Sequence, residues 1–203
     1  MGALVSVLSK HGENVIPKVV EMLNLLKHRG REKHGISTDR MLIITRKFSE
    51  LSSLNINSNI ALGYNFSRIL PSDIPQPVEG RNFKIIFEGR IFSPPIKKNE
   101  IIDLISRFSN AEDAAKSIIH NVNGSFCFII LKKKRLIVGR DPIGGVPLYL
   151  GNNERFYALA SERKALWLLG IKNNRIKSFP PGNLAEIAES GVKFQPIKTL
   201  KKP

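Results

Sequence analysis

Apolar positions along this chain follow two spacings, one typical of strands and one typical of helices. Residues 3–8 form a short apolar run, as in a buried strand. From Ile16 to Leu26, apolar side chains recur every three or four positions, which predicts an amphipathic helix. Asn14 is a suitable N-cap for this helix, and Gly30 is expected to end it. Further strands are predicted at residues 41–46, 60–64, 83–87, 125–131, 135–139, 146–150, 156–160, 182–188 and 192–194.

Three shorter helices are predicted in the second half of the chain. One spans residues 101–108, another begins at Asn110, and a third lies between Ser161 and Gly170. Lysines separate the strands at 125–131 and 135–139, which we expect to form a hairpin. Many strands at hairpin spacing, with few helices, indicate an α+β fold with antiparallel sheet.

Length and composition limit the classes of protein to consider. The chain has 203 residues, of which 42% are hydrophobic, enough for one domain with a sizeable core. No apolar run approaches the roughly 20 residues that a bilayer-spanning helix needs, so no membrane partner is expected. A single cysteine excludes a disulfide framework and fits a reducing, cytoplasmic location. The four histidines lack the spacing of metal ligands, and we expect neither a metal nor a cofactor.

The balance of charge is the unusual feature of the composition. The chain carries 32 Lys and Arg against 17 Asp and Glu, a formal net charge of +15. An excess of this size favours a polyanion such as RNA, or an acidic protein, as a partner. It is equally typical of a basic proteome in which the charge serves only solubility, so composition leaves both interpretations open.

Five segments together resemble a known family. Residues 139–149 read G-R-D-P-I-G-G-V-P-L-Y, and the other segments are His28-Arg29-Gly30, residues 123–128, residues 158–166 and Pro180-Pro181-Gly182. In this order they resemble the motifs of class II glutamine amidotransferase domains, notably the glutaminase half of asparagine synthetase. The resemblance covers residues 1–190 and implies an N-terminal-nucleophile fold, a four-layer α/β/β/α sandwich of two antiparallel sheets. Residues 191–203 are expected to form a basic C-terminal tail.

The resemblance implies that several motif residues shape the fold rather than the chemistry. In the family, the Arg-Asp-Pro segment is largely structural. The residues to which we assign a structural role on this basis are His28, Arg29, Gly30, Arg140, Asp141, Pro142, Gly144, Pro147 and Tyr149.

The family's nucleophile has no equivalent in this sequence. In the family, a cysteine at position 2 becomes N-terminal when Met is removed, and its own α-amino group acts as the base. Here position 2 is Gly2, which has neither a thiol nor a hydroxyl. Ser6 lies inside a predicted strand without a free amine, and Cys127 lies in an alternating apolar segment expected in the core. We therefore expect no catalytic residue at this position.

Other positions of the family's site are also altered. The oxyanion-hole segment corresponds to residues 88–93, which begin with Glu88 and Gly89. A carboxylate at Glu88 would repel the oxyanion that an amide donor stabilises. For the groups that hold the substrate's carboxylate and amine, the sequence offers only Arg68, displaced in register, and Glu112. Together with Gly2, these changes predict a vacated active site and no hydrolysis of glutamine.

Clusters of basic residues are candidates for contacts with phosphate. Few aromatic residues lie among them, so contact with a phosphate backbone is favoured over stacking with bases. We therefore predict a non-catalytic module that docks on RNA or a ribonucleoprotein such as the ribosome. The alternative is an amidotransferase subunit that supplies ammonia to, or regulates, a separate synthetase subunit. The candidate phosphate-contacting residues are Lys97, Lys98, Lys132, Lys133, Lys134, Arg135, Lys172, Arg175, Lys177, Lys198, Lys201 and Lys202.

Overall fold

A computed structural model describes residues 2–94, 105, 108 and 110–200. Within them, strands form two antiparallel sheets that pack face to face, and helices cover the outer face of each sheet. This confirms the predicted four-layer sandwich. The strands are β1 (Ala3–Ser9), β2 (Lys33–Ser37), β3 (Leu42–Thr45), β4 (Ile60–Phe66), β5 (Val78–Glu79), β6 (Lys84–Ser93), β7 (Asn123–Lys132), β8 (Arg135–Arg140), β9 (Tyr149–Asn152), β10 (Phe156–Ala160), β11 (Ile176–Ser178), β12 (Asn183–Ala188) and β13 (Gly191–Pro196).

The strand orders place β1 at the centre of one sheet and β7 near the centre of the other. The first sheet has the order β11-β9-β10-β1-β4-β2-β3, and the second has the order β13-β12-β8-β7-β6-β5. All of β1 is buried because both of its faces are covered. Val5 and Val7 face the helices, whereas Leu4 and Leu8 face the second sheet. Burial on both faces explains why β1 reads as a continuous apolar run.

Helices α1 (Ile16–Leu25), α2 (Phe48–Ser52) and α4 (Arg163–Trp167) cover the first sheet, and α3 (Ala111–Asn121) covers the second. Val15 rather than Asn14 is the N-cap of α1, although the Asn14 side chain accepts a hydrogen bond from the Ile16 N–H. The Asn110 side chain caps α3 by accepting from the Glu112 N–H. None of the helices in the described part of the chain has the length and apolar character needed to cross a bilayer.

Several predicted boundaries need correction. The strand predicted at 146–150 begins only at Tyr149, because Pro147 has no N–H to contribute to a ladder. The strand predicted at 192–194 extends over residues 191–196 as β13 and pairs with β12, so these residues belong to the second sheet and not to the basic tail expected at 191–203. The short elements β2, β5, β11 and α2 were not predicted. The helix predicted at 101–108 falls largely outside the described residues.

Candidate functional site

Gly2 and Glu88, which are far apart in sequence, meet between the two sheets. The backbone nitrogen of Gly2, just before β1, lies 3.1 Å from each carboxylate oxygen of Glu88 on β6. The hydroxyl of Tyr64, on β4, donates a hydrogen bond to the same carboxylate. All three residues are buried. The structure thus joins two of the sequence-predicted positions and adds Tyr64, for which no role was predicted.

Position 2 has no room for a side chain. A Cβ atom at Gly2 would lie 2.5 Å from Cζ of Tyr64 and 2.6 Å from the backbone oxygen of Asn65, whereas ordinary contacts begin at 3.4 Å. Asn65 lies opposite Ala3 in the β1–β4 ladder, so its carbonyl group is held by the sheet. A thiol or hydroxyl at position 2 would therefore require Tyr64 and part of β4 to move.

The contact between Tyr64 and Glu88 is shielded from water. Burial and the adjacent Glu88 carboxylate raise the pKa of Tyr64 well above its ordinary value, so the phenol keeps its proton and donates. Glu88 is only 2% exposed and accepts both this hydrogen bond and that of Gly2. A carboxylate that accepts from its neighbours offers no donor to an oxyanion.

Gly89 and Cys127 both flank Glu88, and neither supplies a nucleophile. Gly89 has a φ of 127°, and a Cβ there would lie 2.6 Å from Cα of Phe126 on β7, so the position requires glycine. Cys127 pairs with Glu88 across the β6–β7 ladder and lies in the core between the sheets. Burial, and then the charge of Glu88, raise the pKa of the Cys127 thiol far above its ordinary value. The thiol is therefore protonated and inert.

His28 and Arg29 form a polar cluster on the other side of Gly2. Arg29 Nε donates to the backbone oxygen of Gly2 at 3.0 Å. Glu162 Oε1 lies 3.3 Å from Arg29 Nη1 and 2.8 Å from His28 Nε2. Burial tends to raise the pKa of Glu162, but hydrogen bonds from His28 and Lys164 outweigh it, so the pKa is lowered. Gly2 is thus held from both sides by charged groups.

The Arg140-Asp141 segment organises a turn beside β7. The buried carboxylate of Asp141 accepts hydrogen bonds at 2.8 Å from the backbone N–H groups of Phe126, Ile143 and Gly144. Arg140 donates to the backbone oxygen of Phe179 at 2.6 Å. Pro142 and Pro147 lie in this turn, and Tyr149 is the first residue of β9, which follows it. Gly30 directly follows the 3-10 turn that carries His28 and Arg29.

Two of the predicted basic clusters lie at the end of the sandwich opposite to Gly2. Gly2 precedes β1, whereas Ser9, at the far end of β1, pairs with Phe156. The pairing of β1 with β10, of β10 with β9 and of β9 with β11 places the start of β11 at this far end. The β7–β8 turn lies at the far end of the second sheet. Asn59 donates to Glu189 at 2.7 Å and joins the two sheets there. The residues that we call the basic end are Lys10, Lys132, Lys133, Lys134, Arg135, Lys172, Arg175 and Lys177.

The other predicted residues lie elsewhere. Lys198 donates to the backbone oxygen of His120 and lies near the Gly2 end, because its N–H bonds to Gly182 beside the Asp141 turn. Glu112 lies in the first turn of α3, which covers the outer face of the second sheet, whereas Glu88 faces inward, so Glu112 does not belong to the Gly2 site. Lys97, Lys98, Lys201 and Lys202 lie outside the described residues.

Arg68 follows β4 and has no side-chain contact with Glu88. Its backbone N–H donates to the carboxylate of Glu32 at 2.6 Å. Among residues 2–94, 105, 108 and 110–200, no group of three or more His, Cys, Asp and Glu could hold a metal ion.

Comparisons with known proteins identify relatives of this chain. A family model described as a glutamine amidotransferase domain matches residues 66–167. The chain is 27% identical to a putative glutamine-hydrolysing asparagine synthetase of Methanocaldococcus jannaschii, over 90% of the chain and 38% of that protein. It is 25% identical to an amidophosphoribosyltransferase of Mycobacterium bovis, over 90% of the chain and 42% of that protein. The chain thus spans less than half the length of these relatives.

Solved structures show the same fold. The glutamine phosphoribosylpyrophosphate amidotransferase of Bacillus subtilis superposes with a TM-score of 0.79 at 21% identity, covering 97% of this chain and 49% of the other. A structure described as the allosteric regulatory enzyme of purine biosynthesis gives 0.80 at 19% identity, with the same coverage.

Proposed function

Because the chain belongs to the glutamine amidotransferase domain family, we propose that it is a non-catalytic member that serves as a binding module. Its basic end docks on RNA or a ribonucleoprotein in the cytoplasm, the ribosome being the abundant candidate. The observation that carries the proposal is the packing of Tyr64 and Glu88 against Gly2. This packing fills the place where a nucleophile would stand.

Loss of hydrolysis follows from the chemistry of acyl transfer. Attack on the glutamine amide needs a thiol or hydroxyl, and Gly2 has neither. The tetrahedral intermediate also needs hydrogen-bond donors aimed at its oxyanion. Glu88 stands at the position expected for such a donor and accepts hydrogen bonds instead. Both requirements are unmet within one cluster of contacts.

The charge of the basic end supports a polyanionic partner. Lys133 and Lys134 are exposed at the tip of the β7–β8 turn, while Lys172, Arg175 and Lys177 are exposed on and before β11. In the described part of the chain, these five cations have no carboxylate partner. Unpaired cations on one surface attract phosphates, and binding then releases counterions from the nucleic acid.

A salt titration with RNA tests the proposal. Log affinity should fall against log salt with a slope of about 0.7–0.9 for each phosphate contact. The triple variant Lys132→Gln, Lys133→Gln, Lys134→Gln should weaken binding to all sequences alike and reduce this slope. A matched control is Arg31→Gln, Arg46→Gln, Lys47→Gln, which removes three exposed charges at the Gly2 end and should bind as the unmutated protein does. Absence of RNA binding near about 50 mM salt would refute the proposal.

A second candidate function rests on the similarity to asparagine synthetase. The chain matches 38% of the length of that relative, and this alternative assigns the synthetase chemistry to a separate subunit. In this alternative, the chain supplies ammonia to, or regulates, such a partner. Ammonia release from glutamine by the purified protein, or stable co-purification with an ATP-dependent synthetase instead of RNA, would favour this function.

A further inference from the structure

Two adjoining cavities lie at the basic end. One, of about 750 Å³, opens between edge strands β11 and β13, and Leu150 and Phe179 contribute to its walls. The other, of about 450 Å³, lies beside the β9–β10 hairpin. Asn152 and Arg175 line both cavities, so the two are neighbours, and we call them together the depression.

An aromatic ring is exposed in this depression. Phe194, on β13, is 47% exposed and also lines the larger cavity. Its ring packs on the buried ring of Phe179 with centroids 5.4 Å apart and planes at 48°. Phe179 therefore supports the ring of Phe194 on one side, and about half of the Phe194 side chain stays exposed. Exposure alone does not mark a site, since single exposed apolar side chains are common; the position of Phe194 in the wall of a cavity lined by cations is what distinguishes it.

Cations border the same depression. Lys177 and Arg175 line the larger cavity, and Lys172, Arg175 and Lys10 line the smaller one. Arg155 and Glu154 also line the smaller cavity, where the carboxylate of Glu13 neutralises Arg155 and Glu154 adds one negative charge; among the residues that the structure describes, the larger cavity has no carboxylate in its lining. The ring of Phe194 thus faces a cavity whose rim carries uncompensated positive charge.

We propose that this depression binds single-stranded RNA, with one base stacked on Phe194 and the adjoining phosphates held by Arg175, Lys177 and Lys172. The inference rests on the proposed function and deepens it, because it names the form of the RNA and the residues that hold it. It also departs from the expectation from sequence that backbone contact is favoured over stacking, because the fold places a distant phenylalanine beside the basic cluster.

The chemistry of the depression selects this ligand over others. An aromatic face beside cations is the arrangement that binds unpaired bases with their phosphates. A double helix hides its base faces and would reach only the rim. An acidic peptide would use the cations but would leave the face of Phe194 without a planar partner. The side chains of Asn152, Asn174 and Ser178 add donors and acceptors for a base edge.

The test is the binding of a short fluorescent oligo(A) or oligo(U) strand, followed by anisotropy over a salt series. Phe194→Ala should weaken binding about 5- to 150-fold, since one stacked base contributes about 1–3 kcal/mol. Phe194→Trp should restore it, and Phe194→Leu, which keeps apolar packing on Phe179, should not. The double variant Arg175→Gln, Lys177→Gln should lower the salt slope by about 1.4, or roughly 0.7 per contact.

Control variants and rival ligands decide the outcome. Trp167→Ala removes another exposed aromatic, on α4, and should leave binding unchanged. Binding of oligonucleotide that is insensitive to Phe194 but lost in the Lys132–Lys134 triple variant would overturn the inference and leave the proposed function standing. An affinity for AMP equal to that for the oligonucleotide, without salt dependence, would make the depression a mononucleotide site and overturn the inference. A higher affinity for duplex than for single-stranded RNA would exclude stacking on Phe194 and would also overturn it. No RNA binding at all would overturn both.

Discussion

The sharpest prediction concerns Gly2→Cys, which restores the thiol that the family uses. The new Cβ would lie 2.6 Å from the Asn65 backbone oxygen, where ordinary contact begins at 3.4 Å, so the two must separate by 0.8 Å. Tyr64 would also have to move, and its hydrogen bond to Glu88 would then be lost. Overpacking of this kind costs about 1–3 kcal/mol. For a chain of this size, each kcal/mol lowers Tm by about 2–4 °C.

We therefore expect Gly2→Cys to lower Tm by roughly 2–12 °C and to release no ammonia from glutamine above background. Differential scanning calorimetry and a coupled ammonia assay measure the two results. The same substitution in a Tyr64→Leu background should cost less, because one of the two colliding groups is gone. A Tm within the error of the unmutated protein, together with glutaminase activity, would refute the steric reasoning and the assignment of a vacated site.

Two further predictions concern buried polar groups. Burial of His34 lowers its pKa from 6.5, so the unfolded chain takes up the proton first as the pH falls. The contribution of this group to stability should be full above about pH 6.5 and should decline below it. The Tm of His34→Gln should therefore change less between about pH 5 and 7 than the Tm of the unmutated protein. An equal change of Tm with pH in the two proteins would contradict this. In Asp141→Asn, the new amide NH2 group would face one of the three backbone N–H groups that donate to the carboxylate. The free energy of unfolding should fall by about 1–3 kcal/mol, which is measured as a lower Tm. The control is Asp113→Asn, which changes an exposed carboxylate. An equal fall in Tm in the two variants would contradict the structural role assigned to Asp141.

The elements that sequence predicted well are those whose own residues determine their burial. β1 is covered on both faces, so its apolar run indicates a strand without reference to the rest of the chain. The helix from Ile16 shows its apolar stripe because only one face meets the first sheet. The order of motif segments then indicated the sandwich, which the comparisons support.

The missed elements depend on neighbours that sequence does not display. β2 contains Gly35, which normally weakens a strand, but here a Cβ at Gly35 would lie 2.5 Å from Cδ of Pro77. The close approach of Pro77 therefore requires glycine at position 35, and this same glycine is the reason that the strand was not predicted. β11 has only three residues, of which Ile176 alone is buried, too few for a periodic signal.

The candidate site was predictable only in part, for a similar reason. Gly2 and Glu88 stand out because the motif order implies particular residues at their positions. Tyr64 could not be assigned a role, because its hydroxyl reaches Glu88 only when β4 and β6 face each other across the two sheets. Phe194 was likewise separated from Arg175 by 19 positions in the chain, and only the meeting of two edge strands joins them.

The placement of the two features explains how one domain can lose chemistry and keep a binding role. Gly2 lies before β1 and the basic end lies beyond its other end, so the seven residues of β1 separate them by about 23 Å. Substitutions at sites this far apart, with no shared partner, act independently. Gly2→Cys should therefore lower stability without changing RNA affinity, and Phe194→Leu, which keeps apolar packing on Phe179, should weaken RNA binding without lowering stability as much. Coupling between the two variants would show that the Gly2 site and the basic end act as one unit, and the idea of a binding surface separate from the vacated site would then fail.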